Sequence, residues 1–141
     1  MGKINIGRLI LGGIVAGIVG DVLGYLVDGV LLAQKWSDEM LALNKSEFST
    51  TQLIEFNLIG LVFGVLSVWI YVSMRSRFGA GLKTAIYAGV TAWAIGTLLP
   101  NASFMCVADL FSKHLTLYTT LGGLVEVVVG TIAGAALYKE A

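Results

Sequence analysis

LILGGIVAGIVGDVLGYLVDGVLL, residues 9–32, runs for 24 residues without a basic side chain, its apolar character interrupted by small residues, one tyrosine and two aspartates, Asp21 and Asp28. An apolar stretch of more than roughly 18 residues is long enough to cross a bilayer. Lys3 and Arg8 ahead of it resemble the start of a secretory signal. The apolar run is too long for one and lacks a small-residue cleavage site, so it reads as a retained helix over about residues 8–32.

Three more stretches of the same kind follow, at about residues 50–74, 82–99 and 115–138. The whole chain of 141 residues is 57% hydrophobic and 13% charged, with a single proline. These features predict an all-α integral membrane four-helix bundle, one domain over residues 1–141 with no soluble module. The polar connection from Gln34 to Thr51 carries Trp36, Met40 and Leu43 at helical spacing, which predicts a short helix lying in the membrane interface. Ser49 and Gln52 form a capping-box pattern that opens the second span. Pro100 and Asn101 break or kink the third. Residues 102–111 then read either as a second short interfacial helix or as the end of a kinked third helix reaching Phe111.

Lys3, Arg8, Arg75, Arg77, Lys83 and Lys139 fall on one side of this arrangement, and Lys35, Lys45 and Lys113 on the other. Basic residues concentrate in cytoplasmic connections, so both termini are expected in the cytoplasm, of a bacterial inner membrane. The nine basic and nine acidic residues balance. A chain without a basic field is a poor nucleic-acid binder, and none is expected as a partner.

Each span carries small or polar residues three and four apart, on one helix face. In the first these are Gly17, Asp21, Gly24 and Asp28; in the second Asn57, Gly60, Gly64, Ser67 and Tyr71. In the third they are Ala85, Gly89, Ala92 and Gly96, and in the fourth Gly122, Glu126, Gly130 and Gly134. Lipid supplies little hydrophobic drive for helix association, so such faces are where membrane helices meet. Four GxxxG pairs occur, but 18 glycines would give roughly two by chance, so the motif alone argues little for dimerisation. A second small face, Gly12, Ala16 and Gly20, is left for another subunit, while Val68 is read as facing lipid.

Asp21 and Glu126 lie near the middle of their spans, and no basic residue lies at that depth. Asp28, Glu55, Asn57, Tyr118, Thr119 and Thr120 would continue them as a polar column towards one surface. An ionisable group at bilayer depth is costly and usually has a reason. Three readings stand open. The two carboxyls share a proton in a transport site; or they are neutral hydrogen-bonding glue between helices; or they pair with a cationic residue of another protein.

Enzymatic chemistry finds little support. Cys106 is the single cysteine, which removes dithiol redox chemistry and thiolate metal sites. His114 is the single histidine. One chain therefore cannot supply two axial histidines to a haem, and ligation of a haem or chlorophyll-type pigment through His114 competes with a plain interfacial histidine beside Lys113. No cofactor and no metal are expected. No Ser or Thr sits beside the histidine in a way that suggests a nucleophile and base, and there is no HExxH and no phosphate loop. The Arg/Asn/Glu constellation of small four-helix glutathione-transferase-like membrane enzymes is not found on these helices.

In the order of its parts the chain resembles a family of uncharacterised small four-span bacterial membrane proteins. The shared features are a Gly-rich first span, a connection bearing Lys35 and Trp36, and a last span rich in glycine at Gly122, Gly123, Gly130 and Gly134. The resemblance implies the four-span fold and no activity. Small multidrug exporters also place a lone carboxylate in the first of four spans, as Asp21 stands here, but they are shorter and lack the long first connection and the central glutamate of the last span. The expected function is association in the bilayer, with other membrane subunits or with itself, and the alternative is a small proton-coupled transporter using Asp21 and Glu126.

Overall fold

The computed structural model describes residues 3–108 and 110–140, the side chains of 107 and 108 excepted. Among these residues the chain is helical and without strands. Helix α1 spans Ile6–Leu31, α2 Ala33–Ala42, α3 Thr50–Phe78, α4 Leu82–Cys106 and α5 Lys113–Leu137. All but α2 are long and apolar enough to cross a membrane, which makes the fold compatible with an integral membrane protein. At 1.5 Å per residue each is about 40 Å long, more than the roughly 30 Å of a hydrocarbon core.

The ends of the helices follow from local chemistry. Asn5 caps α1 by accepting from the Arg8 amide, and Ser112 caps α5 by accepting from the Leu115 amide. The capping box opening α3 is present: Ser49 Oγ accepts from the Gln52 amide at 3.3 Å and the Gln52 side chain accepts from the Ser49 amide at 2.9 Å. Between α3 and α4 the turn needs two positive φ angles, Gly79 at 81° and Gly81 at 131°, which explains why glycine stands at both. The helix expected in the first connection is α2.

Of the two readings of the segment after Pro100, the structure is nearer the continuous one, although Leu110 and Phe111 are not helical. The third span does not stop near residue 99; it runs on through Leu99–Ser103 and a π-wound turn, Phe104–Ala108. Residue 109, within the segment that was read as reaching Phe111, lies outside the described residues. A second π-wound turn, Ala94–Leu98, immediately precedes the proline, and the Leu99 amide bonds to the Ala94 carbonyl five residues back. Proline lacks the amide that would bond four residues back and its ring crowds that carbonyl. Widening the turn ahead of Pro100 relieves the clash without ending the helix.

Helix α1 lies in the groove between α3 and α5, and α4 closes the bundle on the far side of that pair. The contacts are as close as glycine allows. A Cβ on Gly130 would sit 2.6 Å from the Ala16 carbonyl oxygen, and one on Gly12 2.6 Å from the Gly134 carbonyl oxygen. On the other side of α1, Gly17 presses on the Leu61 backbone and Gly64 on the backbone of Gly13 and Gly17. Two residues of the second small face of α1 are therefore used inside the chain: Gly12 and Ala16 meet α5, while a Cβ on Gly20 would meet nothing within 4 Å. Val68 likewise does not face lipid. It is fully buried where α1, α3 and α5 meet, between Gly12 and Gly134.

Packing is uneven along the bundle. The core of Ala16, Val68, Tyr71, Val72, Ala85, Ala88, Ala135 and Tyr138 occupies the half nearer the termini. Towards α2, every residue of α3 from 50 to 59 is exposed. The cause is in the sequence: α3 offers no glycine, alanine or serine between Thr51 and Gly60, and the bulky side chains there keep neighbouring backbones apart.

Candidate functional site

Antiparallel packing of α1 and α5 sets the register of the polar groups. Moving forward along α1 moves backward along α5: Gly12 meets Gly134 and Ala16 meets Gly130, then, eight residues on from Ala16, Gly24 meets the end of the long Glu126 side chain and Val27 meets Gly122. A Cβ on Gly24 would lie 3.3 Å from Glu126 Oε2, so the absence of a side chain at Gly24 is what makes room for the carboxyl. Glu126 Oε1 is buried and has no hydrogen-bond partner among the described residues.

Asp21 faces a different helix. Its carboxyl lies directly against Gly60 of α3, in the space a Cβ would take. The acidic group within electrostatic range of Glu126 is instead Asp28. The direction of the Cα–Cβ bonds explains this, since side chains lean towards the N-terminus of their own helix. In the antiparallel pair, Glu126 leans towards the end of α1 that bears Asp28. Asp28 is half-buried, and its Oδ1 accepts from the Trp36 indole at 3.1 Å, which ties α2 to the end of α1.

Glu55 and Asn57 do not join a buried column. Both are exposed on the open part of α3, and the Asn57 amide donates to the Leu53 carbonyl of its own helix at 2.6 Å. Tyr118 is exposed too, with the Lys35 ammonium 5.8 Å from its ring centroid. Of the small positions read as crossings, Gly17, Gly64, Gly130 and Gly134 are buried, and Gly24 and Gly60 each face a carboxyl. His114 is exposed in the first turn of α5, and no group of three or more His, Cys, Asp or Glu that could hold a metal occurs among the described residues.

Two clusters escaped the sequence reading. At the α2 end, Thr120 of α5 takes two bonds from α4: the Trp93 indole donates to its carbonyl at 2.8 Å and the Asn101 amide to its hydroxyl at 2.8 Å. Eight residues at 100° each would leave Trp93 and Asn101 about 80° apart on a regular helix. The π-wound turn between them inserts one residue and brings both to about the same face. Only the proline hinted at it.

At the opposite end, the Arg75 guanidinium stands 5.7 Å from the Tyr71 ring centroid and 5.0 Å from that of Tyr138. Its Nη2 is 3.7 Å from Glu140 Oε1, while Nε and Nη1 are buried with no hydrogen-bond partner among the described residues. Tyr138 Oη accepts from the Asn5 amide at 3.3 Å and Tyr71 Oη from the Gly81 amide at 3.3 Å. Arg75 therefore gathers the last turn of α3, the α3–α4 turn and both ends of the chain. The sequence reading counted it only as a topology charge.

Comparison with known proteins adds no relative: no family model, no curated protein and no solved structure matches the chain.

Proposed function

We propose that this is a non-enzymatic membrane protein that works by association, as an accessory or structural subunit of a larger complex or with copies of itself, in a bacterial inner membrane with both termini cytoplasmic. The observation that carries the reading is the open first third of α3. Residues 50–59 are all exposed, although Asn57 stands seven residues, about 10 Å, inside the helix. A polar side chain left towards lipid at that depth is unfavourable, and the surface of another subunit relieves it. The tight packing of the half of the bundle nearer the termini, with Val68, Ala88 and Thr131 fully enclosed, supplies a rigid base for such a contact.

A second reading, a small proton-coupled transporter, draws support from one feature. Glu126 Oε1 is buried without a bond and has Asp28 as its acidic neighbour. Against a shared Asp21–Glu126 site stands the packing of the Asp21 carboxyl against Gly60 of α3.

Extraction from native membranes in mild detergent, followed by mass analysis of the intact assembly, tests the association reading. A stoichiometric second chain or a defined homo-oligomer is expected. Liposomes holding only this protein test the other reading. Proton-coupled uptake that disappears in both Asp21→Asn and Glu126→Gln would make transport the better account, because the isosteres keep hydrogen bonding but cannot change protonation.

A further inference from the structure

A cavity of about 120 Å³ lies at the α2 end, where α2, α4 and α5 meet. Its walls include three aromatic rings, Trp36, Phe104 and Phe111, and its polar groups are Asn101, Thr116 and Thr119. Trp36 and Phe111 stand edge to face, with centroids 5.4 Å apart and planes at 75°. Contacts of this kind present the negative face of one ring beside the positive edge of another.

The hydrogens of these polar groups are committed except for one on the Asn101 amide nitrogen. The Thr116 hydroxyl donates to the Ser112 carbonyl at 3.0 Å and the Thr119 hydroxyl to the Thr116 carbonyl at 3.1 Å. A threonine hydroxyl has one hydrogen, so each offers a ligand only lone pairs. The Trp36 indole hydrogen goes to Asp28. The Asn101 orientation is fixed in the same way. Thr120 Oγ1 spends its hydrogen on the Thr116 carbonyl at 2.6 Å, so towards Asn101 it acts as acceptor and must meet the amide nitrogen. This leaves Asn101 Oδ1 as the unbonded end of the amide among the described residues.

The cavity is thus rich in acceptors and aromatic faces and nearly without donors. Two carboxylates flank it: Asp28 holds Trp36, and Glu39 accepts from the Ser112 amide beside Phe111, at 3.2 Å and 3.3 Å. The nearby Lys35 is engaged with the Tyr118 ring, which is not part of the wall. Aromatic faces attract cations, and oxygen acceptors stabilise an ammonium that carries hydrogens. From this donor and acceptor inventory we infer that the cavity under α2 binds a small primary ammonium ion bearing an apolar group. The apolar part rests on Phe104 and Phe111, and the N–H groups reach Asn101 Oδ1 and the two threonine oxygens.

Isothermal titration on the protein in nanodiscs, with empty nanodiscs as the control for partition into lipid, tests this with three probes. Benzylammonium, benzyltrimethylammonium and benzyl alcohol share the ring and differ in charge and N–H content. Saturable binding of benzylammonium is expected, at least about tenfold tighter than the alcohol, since hydrogen bonds to a charged group contribute more than about 1.4 kcal/mol. The trimethyl ion should bind more weakly than benzylammonium. Thr119→Val, which keeps the shape and removes the acceptor, should weaken benzylammonium about tenfold and the alcohol by less; Asn101→Leu should do the same. Where Asn101→Leu fails to fold, Thr119→Val and the probe series on the unaltered protein decide. Absence of saturable binding, equal affinity for ammonium and alcohol, or a trimethyl ion bound as tightly as the primary one would overturn the inference.

Discussion

Val68 Cγ2 lies 2.7 Å from where a Cβ on Gly134 would stand, so the valine on α3 fills the notch left by the missing side chain on α5. A site that is fully buried and bounded by backbone has no room for a larger residue. Val68→Leu should destabilise the bundle by about 1–3 kcal/mol, the range for overpacking in a core. Thermal melting in detergent reads this directly, and a melting point equal to the parent's would show that position 68 faces lipid after all.

Two glycines on facing helices should respond in opposite directions to the same change. A Cβ on Gly130 meets the Ala16 carbonyl oxygen at 2.6 Å, whereas one on Gly20 meets nothing within 4 Å. Gly130→Ala should separate α1 from α5 and lower stability. Gly20→Ala should be neutral or stabilising by up to about 1 kcal/mol, because alanine restricts the unfolded chain and favours helix. Paired melting curves decide it; equal losses at both positions would contradict the α1–α5 register.

Arg75 offers a test at the end of the bundle that holds the termini. Arg75→Met keeps the length of the side chain and removes the cation that faces the Tyr71 and Tyr138 rings. A loss of about 1–2 kcal/mol is expected. Faster proteolytic trimming after Leu137 should accompany it, since Tyr138 and Glu140 lose their common contact. Trimming at the parental rate would mean the clamp does not hold the C-terminal residues.

Topology is checked with one exposed cysteine at a time. In a Cys106→Ser background, Lys45→Cys lies in the connection between α2 and α3. A membrane-impermeant thiol reagent should reach it from outside intact cells. Labelling only after the cytoplasmic side is opened would invert the proposed orientation.

The class of fold is legible along the chain alone, because apolar runs longer than a bilayer leave little choice but four helices, and because Ser49 with Gln52 and the glycines at 79 and 81 fix local ends and turns through their own backbone chemistry. The sequence also marked most of the crossing points, since Gly17, Gly64, Gly130 and Gly134 carry the smallness that close packing needs. Which helix each face meets was decided only by the tertiary structure. α1 has small residues on two faces, and nothing along one chain says that one face takes α3 and the other α5, or that Val68 plugs the seam between them. The same holds for the carboxyls: Asp21 and Glu126 each lie near the middle of an apolar run, but the antiparallel register and the lean of side chains towards their own N-termini turn Glu126 to Gly24 and Asp28 and leave the Asp21 carboxyl against α3. The cavity under α2 depends on a π-wound turn ahead of Pro100 that rotates Asn101 onto the face of Trp93, a change of about 100° that residue spacing on a regular helix does not contain.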